Sequence, residues 1–154
     1  MTLVIDASVA LRWYVEAPGT PEALALLERD EPLVAPDLLV PEVISAAWKL
    51  TRTNQITREH GKRIAAAIAT SFDRLVESAQ LSSQAYALAA MLDCSVDGCF
   101  YLALAELEKC VLVTADERLL EKVSHSAFRG GVIALSDIGR VAAPVKPPSS
   151  VPGP

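Results

Sequence analysis

Val111-Leu112-Val113-Thr114-Ala115-Asp116-Glu117-Arg118-Leu119 is the stretch that decides the fold. Its first three residues are uniformly apolar, the composition of a strand covered on both faces, as parallel strands are. An acid then stands where helical spacing begins. The chain opens with the same succession: Leu3-Val4-Ile5 is a short β-branched run, Asp6 follows it, and Ala7 to Val15 carries helical spacing. Further strands are expected at Leu33-Val34-Ala35, closed by Pro36, at Arg74-Leu75-Val76, and at Val132-Ile133-Ala134-Leu135 after Gly130-Gly131. Between them the spacing predicts helices from Pro21 to about Arg29, Pro41 to about Arg52 and Thr57 (as N-cap) to about Thr70. Others are expected from a Ser82 or Ser83 cap to Leu92, from Gly98 to Lys109, and from Ala115 to Val123. Strands alternating with helices predict a three-layer α/β/α domain with a mainly parallel central sheet. That domain is expected over residues 1–140, with 141–154 a proline-rich, flexible tail.

Bulk properties narrow the function. A chain of 154 residues is long enough to bury a core as one domain. Apolar residues make up 51% of it and the mean hydropathy is +0.31, yet no uncharged apolar run reaches the roughly 18 residues that span a bilayer. The surplus apolar surface is expected at a subunit or partner interface. The start, Met-Thr-Leu-Val-Ile-Asp, lacks the basic segment of a signal peptide, so a cytoplasmic protein is expected. Three cysteines, Cys94, Cys99 and Cys110, without a CxxC pair, point to reduced thiols and away from zinc or a disulfide framework. A net charge of −5 argues against a general nucleic-acid coat protein but not against a nuclease, because clustered catalytic acids lower the net charge.

Four acids, Asp6, Glu42, Asp97 and Asp116, each stand where an apolar strand-like run gives way to a helix-like one. In a parallel α/β sheet such junctions gather at one edge, in one crevice. Four carboxylates there form an all-oxygen donor set suited to Mg²⁺ or Mn²⁺ and to metal-assisted phosphodiester hydrolysis. The competing reading is that each acid is a local helix cap facing free N–H groups and the helix dipole. Against four independent caps stands repulsion: at about 5 Å and an effective dielectric near 20, each unneutralised pair costs roughly 3 kcal/mol. Ser8 and Thr114 are candidates to hydrogen-bond a carboxylate or a phosphate, or else to cap a helix. Arg12 and Arg118 are candidates for phosphate contact, against solvated surface charge. No P-loop, glycine fingerprint or Ser-His-Asp arrangement is present. A receiver-type phosphoacceptor domain also gathers acids at strand ends, but Asp6 is followed by Ala7-Ser8 where that class carries a second acid.

These same residues carry a resemblance. Val4-Ile5-Asp6-Ala7-Ser8-Val9-Ala10-Leu11 resembles the opening motif of PIN domains, and Pro41-Glu42-Val43 their second acidic position. Asp97-Gly98-Cys99-Phe100-Tyr101-Leu102-Ala103-Leu104-Ala105 is similar to the third, and Val113-Thr114-Ala115-Asp116-Glu117-Arg118-Leu119 to the fourth, in order over about residues 2–138. The length is similar to that of VapC-like toxins of toxin–antitoxin pairs. The resemblance implies a Rossmann-like PIN fold and a Mg²⁺- or Mn²⁺-dependent endoribonuclease acting on RNA. It further implies a homodimer restrained by a cognate antitoxin. Asp6, Asp97 and Asp116 are then the expected metal ligands, with Glu42 orienting a water or holding a second ion. The alternatives are a catalytically idle PIN module acting in partner assembly, and a DNA-directed nuclease. Gly98 stands where the family often has alanine, which is expected to loosen the helix start that aims Asp97.

Overall fold

The computed structural model describes residues 1–128 and 130–141. Apart from Val141, the expected tail lies outside them. Among the described residues, five strands form one sheet: β1 (Leu3–Ile5), β2 (Leu33–Pro36), β3 (Arg74–Val76), β4 (Val111–Thr114) and β5 (Gly131–Ala134). Their order is β3-β2-β1-β4-β5, and every pairing is parallel. Among the described residues, seven α-helices connect and cover them: α1 (Ala7–Leu11), α2 (Thr20–Leu27), α3 (Leu39–Arg52), α4 (Arg58–Ala67), α5 (Ser82–Leu92), α6 (Val96–Glu108) and α7 (Glu117–Ser124). This is the three-layer α/β/α arrangement expected from the alternation.

β1 and β4 are buried along nearly their whole length, which explains their unbroken apolar sequence. α6 runs across the sheet and sends Tyr101, Leu102, Leu104 and Ala105 into the core; each large apolar side chain sequestered there contributes about 1.5–3 kcal/mol. From β1 the chain winds outward to β2 and β3, then crosses back to β4 on the other side of β1. The reversal opens a crevice at the C-terminal ends of β1 and β4.

Local departures from the sequence expectation have physical causes. α1 ends at Leu11 rather than Val15. Pro36 belongs to β2 as its last residue, paired with Val76, where a missing N–H interrupts little of the ladder. Pro41 lies inside the first turn of α3, where an N–H would have lacked a helical partner anyway. Thr57 caps α4, its hydroxyl accepting from the His60 N–H at 3.1 Å. The last turn of that region, Ile68–Ser71, tightens to a 3₁₀ helix. Ser82 is not a cap. A 3₁₀ turn, Ser78–Leu81, runs straight into α5, and the Ser82 hydroxyl donates back to the carbonyls of Ser78 and Ala79.

Candidate active site

Asp6 follows β1 directly and is 7% exposed. Its Oδ2 accepts from Ser8 Oγ at 2.8 Å and from Thr114 Oγ1 at 2.5 Å. Both hydroxyls also accept: Ser8 Oγ from the Ala115 N–H at 3.1 Å, Thr114 Oγ1 from the Asp116 N–H at 3.0 Å. The two strand ends are thereby stitched together through one carboxylate. Burial pushes the Asp6 carboxyl up from its ordinary value and nearby Asp116 adds to this, while the two hydroxyls pull it back.

Glu42 stands in the first turn of α3, half-buried, its Oε1 accepting from the Tyr101 hydroxyl at 3.0 Å. Burial, with Asp6 and Asp97 nearby, raises its carboxyl to about 7, against the lowering effect of the Tyr101 donor. The Tyr101 phenol is itself driven upward by burial and by the charges of Asp6 and Glu42, so it stays a donor. Asp97 lies within the first turn of α6 and makes no capping bond, because Ser95 holds the cap position. Asp116 is the N-cap of α7, its Oδ1 accepting from the Arg118 and Leu119 N–H groups at 3.0 and 3.2 Å.

Of the four, Asp116 alone makes side-chain capping bonds; Asp6 occupies the N-cap position of α1, and Glu42 and Asp97 the first turns of α3 and α6, without them. All four acids line one cleft of about 370 Å³, together with Tyr101, Arg118 and Lys122. Four different elements deliver them to one side of the sheet. Arg12 is not among the lining residues. Its Nε donates to the Pro18 carbonyl at 2.7 Å and its Nη1 to the Ser8 carbonyl, so its guanidinium braces the turn after α1. Ser8 and Thr114 serve the Asp6 carboxylate. His60 bonds the Tyr14 carbonyl, away from the acids.

From the sequence Tyr101 reads as a packing residue, and Lys122 is not singled out. Each lies four residues beyond a residue already singled out, Asp97 and Arg118, which on a helix means the same face. Gly98 has a different role from the one expected. A Cβ there would meet the Leu119 side chain at 3.2–3.3 Å, so glycine lets α7 pack close against the start of α6.

The donor set is oxygen-rich, and its carboxyls Asp6 and Glu42 are raised chiefly by burial and to a lesser degree by neighbouring carboxylates. That chemistry suits a hard divalent cation. Among the described residues, however, no three His, Cys, Asp or Glu side chains sit close enough to make a ready metal-holding group. Three of the four carboxylates are instead held by protein donors: hydroxyls at Asp6, the phenol at Glu42, backbone amides at Asp116. Among the described residues no single helix is long and apolar enough to cross a membrane.

Comparison with known proteins adds four likenesses of family and fold. The family model of the PIN domain matches residues 3–125. Ribonuclease VapC3 of Pyrobaculum aerophilum is 31% identical over 124 residues, covering 79% of this chain and 95% of that protein. The crystal structure of PAE2754 from Pyrobaculum aerophilum superposes with a TM-score of 0.67 at 22% identity, covering 90% of this chain and 93% of that one. A toxin–antitoxin complex from Klebsiella pneumoniae has a chain with a TM-score of 0.62 at 16% identity, covering 87% of this chain and 98% of that one.

Proposed function

The chain belongs to the PIN domain family, and from that premise we propose that it is an endoribonuclease, the toxin of a toxin–antitoxin pair acting in the cytoplasm. The observation that carries this reading is the arrival of Asp6, Glu42, Asp97 and Asp116 in one cleft from four elements. The 31% identity to a protein named as a ribonuclease supports the reaction class, and the fold shared with a chain of a toxin–antitoxin complex supports the antitoxin.

PIN ribonucleases generally use divalent metals, and Asp6, Asp97 and Asp116 are the residues proposed to hold Mg²⁺, with Mn²⁺ able to substitute. Such a cation supplies Lewis acidity toward the scissile phosphate and eases deprotonation of the attacking water. The chain's own groups set the stage for it. Thr114 and Ser8 fix the Asp6 carboxylate so that its free energy of ordering is met before substrate arrives. Glu42, with its carboxyl near 7, is suited to take or return a proton at the attacking water. Arg118 and Lys122, on the wall of the cleft, offer positive charge to phosphates flanking the cut. The antitoxin and a second copy of the chain are proposed to cover apolar side chains now exposed, including Trp48 and Ile44 on α3 and Tyr86 and Met91 on α5.

The deciding experiment is cleavage-site mapping on total RNA with wild type and Asp6→Asn. Discrete cuts that need Mg²⁺ or Mn²⁺, vanish in EDTA and vanish in Asp6→Asn are expected. Cleavage that persists in chelator would overturn the mechanism. Preferential cutting of single-stranded DNA would reassign the substrate, and an intact RNA panel with wild type would leave an assembly module.

A further inference from the structure

The elbow between α5 and α6 carries a feature that the acid cleft does not need. Cys94 Sγ and Cys99 Sγ lie 3.4 Å apart, in van der Waals contact, although five positions separate them in sequence. The elbow is short and sharply bent: Asp93 ends α5 in a left-handed conformation with φ of 50°, and Ser95 opens α6. Between the flanking helical segments, Ser78–Leu92 and Val96–Glu108, the chain bends by 116°. That bend folds the Cys94 side chain back onto the first turn of α6, where Cys99 is buried. Cys94 is half-buried and lines the cleft beside Asp97, so it is the thiol that a small reagent reaches. The third cysteine, Cys110, follows α6 at its far end and has no place in the pair.

We infer that Cys94 and Cys99 form a reversible intramolecular disulfide, a redox modification site on the wall of the acid cleft. The co-reactant is a low-molecular-weight disulfide. The Cys94 thiolate attacks it, forming a mixed disulfide and expelling one thiolate, which takes up the proton that Cys94 gave up. Cys99 sulfur, already at contact distance, then attacks Cys94 sulfur, and the second thiol leaves with the Cys99 proton. The two cysteines lose two electrons together and the small disulfide gains them. Contact between the reacting atoms favours the second step over reaction with another thiol, although burial pushes the Cys99 thiol up to about 12 and slows the attack.

Bond formation brings the sulfurs from 3.4 Å to about 2.05 Å. The elbow must absorb more than an ångström of contraction within a segment that contains Asp97. Displacements of that size at a reacting centre cost on the order of a hundredfold in rate. The oxidised form is therefore the slow form. This consequence for cleavage rests on the ribonuclease reading; the crosslink itself does not.

The test is oxidation of the full chain with oxidised glutathione, followed by iodoacetamide and mass spectrometry. The expected product has lost two hydrogens, carries a Cys94–Cys99 crosslink and is alkylated only at Cys110. Cys110→Ser should crosslink as wild type does, while Cys94→Ser and Cys99→Ala should not crosslink. Three alkylated cysteines, a lasting mixed disulfide at Cys94 or a bridge to Cys110 would overturn the site. RNA cleavage is read on the same samples: about ten- to hundredfold slower when oxidised, restored by dithiothreitol, and insensitive to oxidant in Cys99→Ala. Equal rates in both redox states would overturn the effect on catalysis. A crosslinked protein whose reduced form cuts no RNA would instead reject the ribonuclease reading and leave the site standing.

Discussion

Tyr101 donates its hydroxyl to Glu42 Oε1 across 3.0 Å, tying α6 to α3 at the cleft. The bond pulls down a carboxyl that burial, even against it, holds up at about 7. Tyr101→Phe keeps the buried ring and removes the donor, so Glu42 is expected to titrate higher still. In a pH–rate profile the acidic limb should move to higher pH, with cleavage down about tenfold below neutrality and partly recovered above it. An unmoved limb would mean that Glu42 is not the titrating group.

The same carboxyl links stability to pH. Its ordinary value is 4.5 and its folded value about 7, so between those values the folded chain binds more protons than the unfolded one. Stability is then fully present below about pH 4.5 as far as this group is concerned, and is lost as pH rises through about 7. Asp6, also raised, acts in the same direction. Thermal unfolding in EDTA should show a lower Tm at about pH 8 than at about pH 5, and Glu42→Gln should flatten the slope.

Asp116 combines a helix cap with a place in the cleft. Two substitutions separate the roles. Asp116→Ala should cost about 1 kcal/mol in EDTA, because the cap is lost, and more in divalent cation, because the stabilisation that the cation gives wild type is lost with it. Asp116→Asn keeps an acceptor for the two amides and removes the charge. It should unfold like wild type in EDTA yet lose the rise in Tm that Mg²⁺ or Mn²⁺ gives wild type. Full retention of that rise would place Asp116 outside the cation site.

Thr114 is wholly buried between Asp6 and the Asp116 amide. Thr114→Val preserves shape but strands the Asp116 N–H and leaves Asp6 Oδ2 with Ser8 as its side-chain donor, at a cost of about 1–3 kcal/mol. Cleavage should fall along with stability. Thr114→Ser, which keeps the hydroxyl, should restore the rate more fully than the stability.

Gly98→Ala tests the close approach of α6 and α7. Helix propensity alone favours alanine by about 1 kcal/mol, but its Cβ would press on Leu119 at 3.2–3.3 Å. No gain in Tm is expected, and Mn²⁺ affinity should fall as α7 and Asp116 are displaced. In a Leu119→Val background the alanine should become stabilising. A plain gain in the wild-type background would show that the space beside Leu119 is slack.

Strand positions and acid positions were legible because each rests on local pattern. Leu3–Ile5 and Val111–Thr114 announce burial by composition, and Asp6 and Asp116 announce themselves by following such runs; Asp97 does not stand after a strand as expected, because the junction before it joins two helices, α5 and α6, and Glu42 lies inside the first turn of α3. What the pattern could not resolve was distance between elements. Tyr101 reads as an ordinary core residue until α3 is placed beside it, and only then does its hydroxyl have a carboxylate to meet. The Cys94–Cys99 contact was invisible for a similar reason, since it depends on the bend between two helices rather than on a spacing motif. Arg12 failed as a cleft residue because the turn after α1 offered its guanidinium two carbonyls nearer at hand. Gly98 read as a source of looseness; its neighbour Leu119, distant in sequence, turns it into a point of close packing.

The parallel pairing of β1 with β4 joins Leu3 to Val111 and Ile5 to Val113, so the first strand waits for a partner made late in synthesis. A ribosome that has delivered β1, β2 and β3 has made Asp6 and Glu42, but neither Thr114 nor Asp116. Translation fragments ending short of residue 111 are thus expected to be harmless to the RNA around them, whatever else they fold into. Catalytic competence arrives only when the growing polypeptide is nearly finished, which separates the moment of manufacture from the moment of danger.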